Sequence, residues 1–166
     1  AIMAHIYEDF PGIAAAVQKT HEQVGLHSHH DWIHAIRVGN VAMQVALDEW
    51  GDQRLAHLAG IAGLCHNADR IIQKSMSVGR GNVPKERVIA LISNWVREDL
   101  NAEEIATVIK AVLGHDGLNA DTGSPVCVRT QLGMQMARDR KELFDMNIAA
   151  LQQQLESEGI LPYSFK

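Results

Sequence analysis

The sequence predicts an all-α fold, a compact single domain of about six helices over residues 1–166, on three observations. Apolar residues recur with helical spacing along most of the chain, and no stretch shows the sustained polar and apolar alternation of a strand. Apolar residues make up 46% of the chain and aromatic residues only 5%, so the core is aliphatic, which favours close helix packing. The length of 166 residues fits one domain, and no shift in composition marks a second.

The first half of the chain predicts three helices. The first runs from Pro11, a good first-turn residue, to Gly25, a good stop signal. After a histidine-rich loop, the second runs from about His30 to Trp50 and is ended by Gly51. The third covers Asp52 to about Ile72 and is apolar almost all round, which is typical of a helix at the centre of a bundle.

The second half predicts a loop at residues 75–83, rich in Gly and Ser, and then further helices. Pro84 opens a fourth helix that ends near Asp99. Asn101 and Glu104 form a capping-box-like start of a fifth helix, which stops around residues 114–117. A last helical region covers about residues 124–158 and is long enough to require a bend.

The charge and cysteine content exclude several classes of partner. With a net charge of −5 and no basic face, the chain is not expected to bind duplex nucleic acid. No apolar run reaches the ~18 residues of a membrane span, and no signal peptide is recognisable. Cys65 and Cys127 lack CxxC spacing and are interpreted as reduced thiols of a cytoplasmic protein.

Each of four predicted helices carries one ionisable residue on its apolar stripe: His34, His66, His115 and Asp139. Burying such groups is unfavourable unless they are paired or coordinate a metal. One ion shared by two imidazoles and a carboxylate would satisfy several of them together. The set His34, His66 and Asp139 therefore predicts a site for one divalent ion such as Zn, Mn, Fe, Mg, Co or Ni.

These residues also have simpler interpretations. A histidine on an apolar face is often a hydrogen-bonded core residue, and Asp139 stands among three cationic neighbours that could form surface salt bridges with it. The preceding histidines His27, His29 and His30 could bind metal, since His30 and His34 are four residues apart. They could equally be exposed residues at the start of the helix.

Taken together, the motifs resemble the HD-domain superfamily. That family carries a first His followed shortly by Arg-Val, a His-Asp doublet ending an apolar helix, and a distal Asp. Here the corresponding segments are HDWIHAIRV at 30–38 with His34, AGLCHNAD at 62–69 with His66, and ARDR at 137–140 with Asp139. The resemblance covers about residues 28–145. It implies a metal-dependent phosphohydrolase that acts on a nucleotide or other small phosphate ester through a metal-activated water.

One position departs from that family pattern. Asn67 stands where the doublet has Asp, which in the family is a metal ligand. An amide oxygen can also coordinate a metal, but it is neutral. Three explanations of Asn67 are open: a natural variant that still works, a natural variant that has lost catalysis, and an engineered substitution. Asp69, expected on the same helical side as His66, could compensate for the missing carboxylate.

The resemblance also suggests roles around the metal. Arg37, one turn after His34, would bind phosphate or form a structural salt bridge. His115 would protonate the leaving group or hold the phosphate, or else be a helix-end histidine bound to backbone. Because His115 is the only histidine after His66, a mononuclear site is expected rather than a dinuclear one.

Two other functions remain open from the sequence. Asn67 favours a catalytically impaired HD-like module that binds a nucleotide or a partner protein. A purely structural helical bundle is the third interpretation, and an oligomer is compatible with each of them.

Overall fold

The computed structural model describes residues 6–26, 32–114 and 129–130, and the regular structure within these ranges is helical. The prediction of an all-α fold is confirmed. Residues 129–130 are helical. Residues 6–26 and 32–114 form seven α-helices and one 3-10 turn: α1 (Ile6–Asp9), α2 (Pro11–Val24), α3 (Trp32–Trp50), α4 (Gln53–Cys65), α5 (Ala68–Met76), the 3-10 turn (Arg80–Asn82), α6 (Lys85–Val96) and α7 (Ala102–Leu113).

Helices α3 and α4 form the centre of the fold. They make more contact with each other than any other pair of described helices. In α4 every residue from Leu55 to Cys65 except His57 is buried, as the apolar sequence of this segment predicts. Helices α1 and α2 pack on α3 and α4, α7 packs on α4, and α2, α5 and α6 contact one another.

Three glycines allow the backbones of α3 and α4 to touch. A Cβ atom added to Gly63 would lie 3.0 Å from the carbonyl carbon and oxygen of Val38. One added to Gly39 would lie 2.9 Å from the carbonyl oxygen of Gly60. Such separations leave no room for a side chain, so glycine is required for this close crossing. This close contact between the two backbones also determines how far apart the neighbouring side chains of α3 and α4 lie.

The prediction of a single third helix from Asp52 to Ile72 is wrong, because the helix is interrupted at His66 and Asn67. The backbone N–H and the imidazole Nδ1 of His66 both bond to the Gly63 carbonyl oxygen, three residues earlier, at 3.4 and 2.6 Å. Asn67 then adopts φ −83° and ψ 5°, and its carbonyl begins the next helix by accepting from Ile71 N. The new helix, α5, continues to Met76 and shortens the predicted loop at 75–83.

Most helix ends follow the predicted signals. Gly25 and Gly51 have positive φ values of 70° and 61° directly after α2 and α3. Both hydrogen bonds of the predicted capping box at the start of α7 are present, between Asn101 and Glu104. Helix α6 begins after Pro84 but ends at Val96, earlier than the expected Asp99, and residues 97–99 continue as a turn.

The short helix α1 was not anticipated from the sequence. Its first backbone N–H, at Ile6, donates to Oδ1 of Asn40, which is fully buried in α3. This bond joins the start of the described chain to the central helix. The predicted last helical region at 124–158 lies outside the described residues except for 129–130. In the described part of the chain, no helix has the length and apolar character needed to span a membrane.

Candidate metal site

The rings of His34 and His66 form an edge-to-face contact near the crossing of α3 and α4. Their centroids are 5.2 Å apart and their planes meet at 70°. His34 comes from the first turn of α3 and is partly buried, and His66 is buried directly after α4. The structure therefore brings together two residues that lie far apart in the sequence and that were predicted as ligands of one ion.

The separation of these rings suits a shared cation. In a tetrahedral site, each imidazole binds the ion through a nitrogen at a distance of about 2 Å. The centroids of two such imidazoles are then about 5 Å apart. The Gly63–Val38 backbone contact accounts for this separation, since Gly63 precedes His66 by one turn and Val38 follows His34 by one turn. The tight glycine crossing thus positions the imidazole pair.

A hydrogen bond fixes the ring of His66. Its Nδ1 lies 2.6 Å from the carbonyl oxygen of Gly63. Because a carbonyl oxygen can only accept, Nδ1 carries the proton, and Nε2 of the neutral ring carries the lone pair. Histidines that ligate metals usually donate their other ring N–H to a carbonyl or carboxylate in this manner, which fixes tautomer and orientation.

Asn67 occupies the turn between α4 and α5 and is buried. Asparagine is a preferred N-cap residue, yet its side chain makes no capping bond to α5. Its Nδ2 lies instead 3.2 Å from Nε2 of His21 on α2. The amide therefore connects the segment after His66 to a third helix.

His21 was missed as a site residue, although its sequence context resembles that of His66. It follows Ile13, Ala14 and Val17 on the buried stripe of α2. Its side chain is 2% exposed, its Nδ1 lies 2.7 Å from the carbonyl oxygen of Val17, and burial lowers its pKa. The same test for polar residues on apolar stripes that selected His66 could have selected it.

Asp69 follows the break at residues 66–67. The expectation that it shares a helical side with His66 assumed one continuous helix, whereas the structure has two helices there. Asp69 is partly buried in the first turn of α5, and its Oδ1 accepts from the backbone N–H of Arg70 at 2.8 Å. Within the described ranges, no three His, Cys, Asp or Glu residues lie together as a metal-binding group.

The remaining predicted residues fall into two groups. Arg37 is partly buried on α3, one turn after His34, as expected. Asp139 and His115, together with His27, His29 and His30, lie outside the described residues, so their predicted roles stay predictions. The cysteine next to His66 is a poor ligand candidate, because burial raises the pKa of the Cys65 thiol and metals bind the thiolate.

Comparisons with protein-family models, with curated proteins and with solved structures found no match to this chain.

Proposed function

We propose that this protein is a metal-dependent phosphohydrolase that acts on a nucleotide or another small phosphate ester. The observation that carries the proposal is the imidazole pair, His34 and His66, at a centroid separation of 5.2 Å beside the core. The anchoring of His66 by the Gly63 carbonyl supports it, because that bond gives a ligating histidine its required tautomer.

The proposed ligand set would hold one divalent ion. His34 and His66 would supply two nitrogen ligands, Asn67 an amide oxygen, and Asp139 the carboxylate that balances part of the charge. A bound ion of this kind lowers the pKa of a coordinated water and stabilises negative charge on phosphoryl oxygens.

The chain's own residues would bind and orient the substrate around that ion. Arg37 lies one turn after His34 on the same helix, and its guanidinium would suit two phosphoryl oxygens of a phosphate bound beside the pair. His115 would provide a proton to the leaving-group oxygen as the phosphorus–oxygen bond breaks.

Metal analysis of variants tests the proposal. Purified full-length protein should contain about one divalent ion per chain and hydrolyse some phosphate esters in the presence of added Mn²⁺. The variant His34→Ala should lose both properties because a nitrogen ligand is gone. The matched control is His57→Ala, which changes a partly exposed histidine of α4 that contacts Phe10 and Asp9 rather than the pair.

A second candidate function is a non-catalytic module that binds a nucleotide through the same site. The neutral Asn67 amide, hydrogen-bonded to His21, favours this candidate, since the metal would have one carboxylate fewer. Metal uptake and nucleotide binding without hydrolysis of any ester in the screen would support the module. Absence of metal from wild-type protein, with no hydrolysis even with added Mn²⁺, would contradict both candidates.

A further inference from the structure

His21 joins α2 to the segment that follows His66, and both of its ring nitrogens take part in hydrogen bonds. Nδ1 lies 2.7 Å from the Val17 carbonyl oxygen, and Nε2 lies 3.2 Å from Nδ2 of Asn67. The ring also stacks on Trp95 of α6, with centroids 6.4 Å apart and planes 14° apart. The imidazole is therefore held by contacts with α2, with the turn between α4 and α5, and with α6.

These contacts determine where the proton lies on the His21 ring. A carbonyl oxygen accepts and cannot donate, so Nδ1 is protonated and donates to Val17. In the neutral ring Nε2 then carries a lone pair and can only accept. The atom of Asn67 that faces it must be a donor, which is the amide nitrogen Nδ2.

We propose that His21 is a positioning residue for the candidate metal site and that it acts through Asn67. When Nε2 of His21 accepts the hydrogen bond from Nδ2 of Asn67, it selects one of the two orientations of the Asn67 amide. In that orientation Oδ1 of Asn67 lies on the side away from His21. Oδ1 is the atom of this side chain that binds cations. The inference rests on the proposed function, since Asn67 is one of the ligands proposed there.

The same contact gives a physical reason for Asn at this position. A carboxylate at residue 67 would place an oxygen acceptor against the Nε2 lone pair, so the contact would require a second proton on the buried His21 ring. An amide supplies the proton of this hydrogen bond and still provides an oxygen for the metal. Asn67 is therefore chemically matched to a singly protonated His21 on another helix.

Titration of full-length protein with Co²⁺ tests the positioning role. The variant His21→Phe keeps a ring against Trp95 but removes the acceptor, and it should weaken Co²⁺ binding about 10- to 100-fold, as expected for loss of a partner that orients a ligand. The variant His21→Gln offers an amide oxygen as acceptor and should restore most of the affinity. Co²⁺ absorption bands should change in the first variant and return in the second.

A matched control changes the neighbouring residue on α2. Thr20→Val removes the hydroxyl that accepts from Nε1 of Trp95 at 3.1 Å and leaves the His21–Asn67 pair in place. It should bind Co²⁺ as wild type does. A folded His21→Phe protein with wild-type Co²⁺ affinity would overturn the positioning role while leaving the metal site itself intact.

Nuclear magnetic resonance of the wild-type protein provides a test that needs no variant. The ¹⁵N shifts of the His21 ring should show a protonated Nδ1 and an unprotonated Nε2, with a hydrogen-bonded Asn67 amide. A protonated Nε2 would overturn the inference even if His21→Phe does not fold. Failure of wild-type protein to bind Co²⁺ is the distinct result that would remove the proposed function, and the positioning role with it.

Discussion

Burial lowers the pKa of His21, while its hydrogen bond to the Val17 carbonyl acts in the opposite direction and is the smaller influence. Between the ordinary histidine pKa of about 6.5 and the lowered value, the unfolded chain binds a proton that the folded chain does not. The contribution of His21 to stability is therefore complete above pH 6.5 and is lost as the pH falls through this window.

We expect the free energy of unfolding to decrease as the pH is lowered from about 7.5 towards 5. Urea unfolding across this range should show a shallower pH dependence for His21→Gln than for wild type, because the variant has no buried imidazole to protonate. Thr20→Val, which leaves the His21 ring in place, is the control and should follow the wild-type curve. Equal slopes for wild type and His21→Gln would contradict the assignment to His21.

Single residues also show what sequence patterns could predict. His34 and His66 were selected because they interrupt apolar stripes, and the structure places their rings together. His21 interrupts a stripe in the same manner and could have been selected. Its partner could not, because the Asn67–His21 bond joins residues 46 positions apart and depends on a turn that has no sequence signature.

At the level of elements, the interrupted third helix shows where local signals fail. Residues 52–72 contain no proline, and their apolar pattern continues across the break, so helix propensity favours one long element. The Gly63 carbonyl instead bonds to both the backbone N–H and the imidazole of His66. The His66 side chain therefore competes with the backbone for the Gly63 carbonyl, and α4 ends there. Whether the side chain makes this bond depends on tertiary packing, which composition does not reveal.

The crossing of α3 and α4 makes a prediction about one glycine. In Gly63→Ala the new Cβ would lie 3.0 Å from the Val38 carbonyl and 3.1 Å from the Gly39 Cα, both backbone atoms that cannot rotate away. Overpacking of this kind destabilises by about 1–3 kcal/mol, partly offset by the ~0.5–1 kcal/mol higher helix propensity of Ala. Thermal unfolding should show a net loss of stability, and the Co²⁺ affinity should also fall because His34 and His66 separate.

A second glycine provides the control for that substitution. A Cβ added to Gly12, in the first turn of α2, meets no heavy atom within 4 Å. Gly12→Ala should therefore be neutral or stabilise the protein by up to about 1 kcal/mol. Equal thermal stabilities for the two alanine variants would show that the helices can separate without loss, which would contradict the tight crossing.

For the whole molecule, the sequence allowed prediction of the fold class, of the central position of the third predicted helix and of most helix ends, because these follow from periodicity and from capping residues. The convergence of His34 and His66 was also foreseen, since each lies on the apolar stripe of a helix expected in the core. The packing that brings Asn67 and Trp95 against His21 was not predictable, because it depends on long-range contacts between helices. Asp139, the predicted third ligand, lies outside the described residues.

Metal binding at the proposed site should stabilise the entire fold, because the proposed ligands lie far apart in the sequence. A ligand that binds only the folded state at 100 times its Kd adds about 2.7 kcal/mol to the free energy of unfolding. For a domain of this size, that corresponds to a rise in Tm of about 5–10 °C. We expect this rise for wild-type protein on moving from EDTA to excess Mn²⁺, and no rise for His34→Ala, because the shared ion would have lost one of its nitrogen ligands. An equal response of His34→Ala and wild type would place the bound Mn²⁺ elsewhere and separate metal binding from the imidazole pair.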